Sequence, residues 1–312
     1  MVPDATFTSY YGRPVVKASP WKNDIPAYLF LGGLAAGSSL LAAGADFTGR
    51  PGLRRVSRIG ALVGITAGTA ALIHDLGKPR RFLNMLRVAK PTSPMSVGTW
   101  ILTIYGPAAG LAGTAELAKF LPRQLGALTS VVGFGARPAG LLAAALAPAL
   151  AAYTGVLLSD TATPAWHEAH RELPYLFVGS AAAAAGGLGM LGAPVGEAGP
   201  ACRMAMAGAL LELAMERKME RSMGITAETL SMGKAKGLMQ ASKALTVGGA
   251  LGTLLFGTRN AELARLSGAA LLAGSLCTRF GVFEAGQESA RDPRYSVVPQ
   301  RERLDRRATS ES

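Results

Sequence analysis

HDLGKPRRFLNMLRVAKPTSPMSVGTW, residues His74 to Trp100, lies between two strongly apolar runs and carries more chemistry than a connector requires. His74 and Asp75 stand side by side where the preceding apolar run ends. Gly77 and Pro79 then break the helix. Phe82, Met85 and Leu86 recur at helical spacing, which predicts a short amphipathic helix at a surface, with Arg80, Arg81 and Arg87 able to reach polar headgroups. Pro91 and Pro94 impose an extended return before the next apolar run begins near Ser96. The stretch reads as the mouth of a site between two membrane spans.

The rest of the sequence agrees with that setting. Of 312 residues, 49 % are hydrophobic, only 17 % are charged and 39 are glycine. Such a mixture fits a multi-span membrane protein, in which small residues let helices approach closely. Cys202 and Cys277 lie far apart in apolar segments and form no CxxC, which argues against iron–sulfur or zinc ligation and for free, buried thiols. Residues 1–24 form a polar arm without the basic, apolar and small-residue order of a cleaved signal peptide. Beyond Phe283 the tail, residues 284–312, is charged and apolar-poor, and is expected to be disordered or partner-bound.

Apolar runs near spanning length predict an all-α integral membrane protein with about eight transmembrane helices. They cover Ile25–Ala45, Ile59–Ile73, Val97–Ala118, Ala139–Leu158, Leu173–Leu191, Pro200–Met215, Leu245–Phe256 and Leu263–Phe283. The second and seventh are short. An internal echo suggests two four-helix bundles, residues 25–160 and 161–283: Pro26-Ala27-Tyr28-Leu29-Phe30 in the first span resembles Pro174-Tyr175-Leu176-Phe177 in the fifth. Most of the 32 lysines and arginines fall on the side of both termini, which predicts cytoplasmic termini in the cell membrane. That bias also accounts for the net charge of +12, so a nucleic-acid partner is not indicated.

Ionisable groups within or at the ends of spans are costly and therefore functional candidates. Asn23 and Asp24 open the first span, His74 and Asp75 close the second, and Tyr153 lies near the end of the fourth. All five fall on one predicted face of one bundle. Hydroxyl, imidazole and carboxylate at the rim of an apolar cleft suit a quinone headgroup, whose carbonyls need hydrogen-bond donors and whose reduction needs protons. The competing structural reading makes His74 a favourable charge at a helix C-terminus and pairs Asp75 with Arg80 or Arg81. His167 and His170 have an i, i+3 spacing but lie in a connection, and no facing histidines occur within spans to hold haem. No metal site is expected. Glu212, Glu216 and Glu220 share a helical face; Glu212 is deepest and could serve a proton path, while a solvated face suits the other two.

Three stretches resemble the NrfD-type membrane subunits of polysulfide reductase and related quinone-linked oxidoreductases. They are IPAYLFLGGLAAGSSLLA at the first span, the His74–Trp100 stretch, and YTGVLLSDTATPAWHE ending the fourth span. The resemblance implies a cofactor-free anchor without haem or iron–sulfur cluster, carrying a site for menaquinone or another quinone in its first four helices. It also implies electron exchange with a ferredoxin-like iron–sulfur subunit serving a molybdopterin-type or other catalytic subunit, as in anaerobic respiration. Quinone contacts at the first-helix start and a bundle tyrosine fall here on Asn23, Asp24 and Tyr153. Some members place histidine near the first-helix start where this protein has Asn23 and Asp24, which raises the claim of His74 as a proton-handling group.

Two functions follow as expectations. In the first, the protein is the quinone-reactive membrane subunit of a redox complex: His74 and Asp24 handle protons with Asp75 as orienter, and Tyr153 and Asn23 hold the headgroup. In the second it is a secondary transporter or proton-conducting protein. The lack of matched Pro-broken half-helices weighs against the second, since Pro148 in the fourth span has no counterpart in the eighth.

Overall fold

Five helices set the frame: α1 (Asp24–Phe47), α2 (Pro51–Asp75), the short α3 (Arg81–Met85), α4 (Pro94–Ala118) and α5 (Gly126–Ser159). After them come the short α6 (Pro164–Glu168), α7 (Leu173–Gly192), α8 (Gly199–Ser222), α9 (Gly233–Phe256), α10 (Ala261–Arg291) and α11 (Arg294–Ser310). The computed structural model describes residues 14–120 and 126–310, and every regular element among them is helical. The first 13 residues of the predicted polar arm lie outside the described residues.

Local chemistry sets the helix ends. Proline stands in the first turn of α2, α4, α7 and α8, where its missing N–H has no intrahelical partner to lose. Asp24 places a carboxylate in the first turn of α1, where it complements the helix dipole. Gly77 ends α2 with φ +66°, a conformation that costs glycine nothing, and its N–H donates to the His74 carbonyl at 3.1 Å. That turn sends the backbone across the end of the bundle as α3.

α1, α2, α4 and α5 pack on one another, and so do α7, α8, α9 and α10. The two groups meet chiefly where α1 and α5 lie against α7. The two echoing segments, at the starts of α1 and α7, therefore belong to neighbouring helices. Among the described residues, four helices and the 133–159 part of α5 are long and apolar enough to cross a membrane: α1, α2, α5, α7 and α10. Such helices make this a multi-pass membrane fold.

Each of the eight long helices contains one of the apolar runs, but several extend well beyond it. α2 begins at Pro51 rather than Ile59, and α9 at Gly233 rather than Leu245. The added turns carry Arg54, Arg55 and Arg58 in α2, and Lys234, Lys236 and Lys243 in α9, so hydropathy alone cuts them off. α10 likewise continues past Phe283 to Arg291, and α11 follows. The tail is thus helical over residues 284–291 and 294–310, against the expectation of disorder, while the alternative of a partner-bound tail is untouched by this. Its first turns are held against α6, where the Ser289 hydroxyl accepts from the Ala165 N–H at 3.1 Å.

At the end of the first four helices away from α3, charged side groups tie α1, α2 and α4 together. Arg54 contacts both Asp46 at 2.9 Å and Glu116 at 3.0 Å, and Arg58 contacts Glu116 at 3.1 Å. Glu116 is fully buried and also pairs with Lys119. These pairs fix helix positions at the end of the group opposite α3.

Candidate functional site

A cleft of about 320 Å³ opens at the end of α1, α2, α4 and α5, under α3. Its walls are mostly apolar: Ile25 from α1, Leu72 from α2 and Leu76 just beyond it, Leu102 from α4 and Leu157 from α5. Phe82 and Met85 of α3 form the roof on one side, with Arg81 beside them. Pro20 and Trp21, just before α1, close another side. The volume falls at the lower end of the range typical of small-ligand sites.

The polar groups in the cleft are few. Tyr28 of α1 and Tyr153 of α5 bring their phenols together there, both buried. By hydrogen-bond geometry the Tyr28 hydroxyl has no partner among the described residues. A buried hydroxyl without a partner is costly and is available to a ligand. Thr99 of α4 lines the wall, but its hydroxyl is committed to the Met95 carbonyl at 2.9 Å. Asp75 lies at the rim, half-buried, where one carboxylate oxygen accepts from the Lys22 N–H at 3.4 Å.

The five sequence candidates divide. Asp75 and Tyr153 line the cleft. His74 and Asp24 form a pair outside it, with His74 Nδ1 2.9 Å from Asp24 Oδ2 and the imidazole 80 % exposed. Asn23 is exposed one residue before α1, and its amide makes no capping hydrogen bond. Asp75 is paired with neither Arg80 nor Arg81; it accepts instead from the Lys22 backbone. Sequence reasoning missed Tyr28, Phe82, Met85 and Trp21 as cleft residues. Phe82 and Met85 carried a signal, their helical spacing in the amphipathic segment. Tyr28 carried one too, since it stands one turn beyond Asp24 and faces the same end of the bundle.

Two other clusters from the sequence fall elsewhere. His167 and His170 stack at 6.0 Å, and each Nδ1 lies near a backbone carbonyl, 3.3 Å for His167 and 3.0 Å for His170. Among the described residues no group of three or more His, Cys, Asp or Glu is arranged to hold a metal. Glu212 is buried in α8 and its Oε1 accepts from the Thr278 hydroxyl at 2.6 Å. Glu216 is buried as well, so it does not belong to a solvated face; Lys243 lies 3.6 Å from it. Being four residues from Glu212 puts it on the same inward side. Arg279 of α10, fully buried, donates to the Phe177 carbonyl at 2.7 Å and lies over the Phe177 ring.

The described residues form a helical protein with several helices apolar enough to span a membrane and a cleft at one end of a helix group, which defines the class as a multi-pass membrane protein. The family model of polysulphide reductase, NrfD, matches residues 15–196, and the protein belongs to that family. It is also similar to the C subunit of polysulfide reductase from Wolinella succinogenes, at 31 % identity over 150 residues. That match covers 45 % of this sequence and 47 % of the relative, so it spans about half of the relative's length. The family match takes in α1 to α7 and therefore the whole cleft.

Proposed function

We propose that this protein is the quinone-reactive membrane anchor of a multi-subunit oxidoreductase, a membrane subunit of the respiratory type that its family suggests. In this reading all eight long helices cross the cell membrane as two four-helix bundles, with both termini cytoplasmic. The observation that carries the proposal is the apolar cleft in which two tyrosyl hydroxyls converge and a carboxylate stands at the rim. Tyr28 and Tyr153 can donate hydrogen bonds to carbonyl oxygens, and the leucine walls accept a flat ring and the start of an isoprenoid tail. Asp75 sits where the cleft meets solvent, so it can pass a proton between water and the bound ring. The Asp24–His74 pair just outside extends that route to bulk water.

A quinone bound here would accept or give up two electrons together with two protons. The protein offers no cysteine cluster that could hold iron–sulfur centres, since its two cysteines are distant. The electrons are therefore assigned to a ferredoxin-like iron–sulfur partner, itself serving a molybdopterin-type or other catalytic subunit that carries the terminal substrate. Membrane lipid would surround the apolar outer faces. The test is co-purification in mild detergent with an iron assay, followed by quinone-reductase or quinol-oxidase turnover of the isolated complex. Co-purification of an iron–sulfur subunit and turnover blocked by Tyr153→Phe with Asp75→Asn support the reading; an iron-free protein whose complex never reacts with quinone sinks it.

A second reading, a proton-conducting or transport protein, draws on Glu212, Glu216, Thr278 and Arg279 buried among α8 and α10. It predicts proton or solute flux through the isolated subunit in liposomes without any redox partner.

A further inference from the structure

Trp21 belongs to the strap that precedes α1, and the strap is fastened from both halves of the molecule. Gln287 of α10 donates its Nε2 to the carbonyls of Ser19 and Trp21, both at 3.2 Å. On the other side, the Lys22 N–H reaches the Asp75 carboxylate. Between these ties Trp21 forms part of the cleft wall.

The ring itself is also held. It stacks on Trp166 of α6 with centroids 6.0 Å apart and planes inclined by 26°. Trp166 is immobilised in turn: it is fully buried and donates its indole N–H to the Val282 carbonyl at 2.8 Å. Its ring lies where any side group at Gly286 would be, since a Cβ there would approach within 2.0 Å. Mere closure of the cleft would not need an aromatic ring braced from behind by a second, locked aromatic. Bracing fixes the orientation of the indole of a residue that lines the cleft, so that little rotamer freedom is lost when a ligand arrives.

We propose that Trp21 is the platform on which the quinone ring stacks, and that Gln287 is the positioning residue that sets the platform's height over the cleft. This rests on the quinone reading of the cleft. An electron-poor, flat ring complements the electron-rich face of indole, in offset stacking, while Tyr28 and Tyr153 address its carbonyl edge. The carbonyl donors and the stacking face would then come from different elements, α1 and α5 for the first and the strap for the second.

The protein holds three tryptophans, Trp21, Trp100 and Trp166. Replacing exposed Trp100 with Phe leaves emission from Trp21 and Trp166, and titration with menadione, a quinone that lacks a long tail, then reads binding as saturable quenching of that emission. In that background Trp21→Phe retains a smaller ring, and Trp21→Leu retains bulk without a π face, while Trp166 continues to report. The expected order of dissociation constants is Trp21 below Phe below Leu, with about two- to tenfold between Trp and Leu. Gln287→Leu raises the constant in the same direction with Trp21 intact. Thermal melting in detergent confirms that each variant is folded, and Trp21→Phe suffices where Leu is not. Equal constants for Trp, Phe and Leu, or equal losses for Phe and Leu, overturn the platform while leaving the quinone site standing. Absence of saturable menadione binding in the parent protein overturns the quinone site itself, and the platform with it.

Discussion

Tyr153 of α5 fills the space that a side group at position 98 of α4 would need. A Cβ built on Gly98 would fall 2.0 Å from two of the tyrosine's ring carbons and 2.5 Å from its hydroxyl. The glycine is therefore the seat of a ring that lines the cleft. Gly98→Ala must push Tyr153 aside, and overpacking of this kind costs about 1–3 kcal/mol. The expected outcome is a lower melting temperature in detergent together with weaker quinone binding. Unchanged binding in a destabilised Gly98→Ala protein would remove Tyr153 from the headgroup contacts.

Hydroxyl and carboxylate are expected to separate in steady-state kinetics. Tyr153→Phe or Tyr28→Phe removes one hydrogen bond while keeping the ring, a loss of about 0.5–1.5 kcal/mol, so KM for quinone rises about two- to tenfold. Asp75→Asn keeps shape but cannot exchange a proton, and loss of general acid–base assistance lowers kcat by about a hundredfold or more. His74→Ala, at an exposed imidazole outside the cleft, is expected to leave KM unchanged. A kcat in Asp75→Asn equal to that of the parent would pass the proton role to the Asp24–His74 pair, and the double substitution Asp24→Ala with His74→Ala checks that directly.

Much of the helical layout was legible because apolar length is a strong local signal, and the short amphipathic α3 was legible from the spacing of Phe82 and Met85. Which ionisable group faces the cleft was not. His74 and Asp75 are adjacent in sequence, and on a helix adjacent residues point in well-separated directions, so both could not enter the same site. Sequence order gave no means to choose between them; the packing of α2 against α1 and α4 does. Buried Arg279 was equally hidden, because its partners are a backbone carbonyl and a ring on α7, about a hundred residues away. Trp21 is recognisable as a wall of the cleft only once Gln287, near the other end of the sequence, is seen to hold its strap.

At the opposite end of the same helices, Glu116 holds Arg54 and Arg58 while being only 1 % exposed. Removing one member of a buried ion pair leaves an uncompensated charge and typically costs about 3–5 kcal/mol. Glu116→Leu is thus expected to destabilise the protein strongly. Adding Arg58→Met to Glu116→Leu should restore part of the loss, because a well-packed apolar pair can replace a buried ionic one. Thermal unfolding of the single and double variants measures both effects. A double variant no more stable than Glu116→Leu alone would mean that the remaining Asp46 and Arg54 charges, not Arg58, bear the cost.

The charge pattern sets an expectation for orientation in the membrane. The loop between α2 and α4 carries Lys78, Arg80, Arg81, Arg87 and Lys90, and positive loops remain on the cytoplasmic side. On that rule the turn between α1 and α2, at the other end of both helices, is expected to be external. With Cys202 and Cys277 replaced by Ala, single cysteines at exposed Lys90 and exposed Thr48 sample the two sides. A membrane-impermeant maleimide applied to intact cells whose outer envelope is permeable should label Thr48→Cys and spare Lys90→Cys until the cells are lysed. The reverse pattern would put the cleft mouth on the outer face, and the iron–sulfur partner would have to dock there, since electrons must reach the quinone from the side on which the cleft opens.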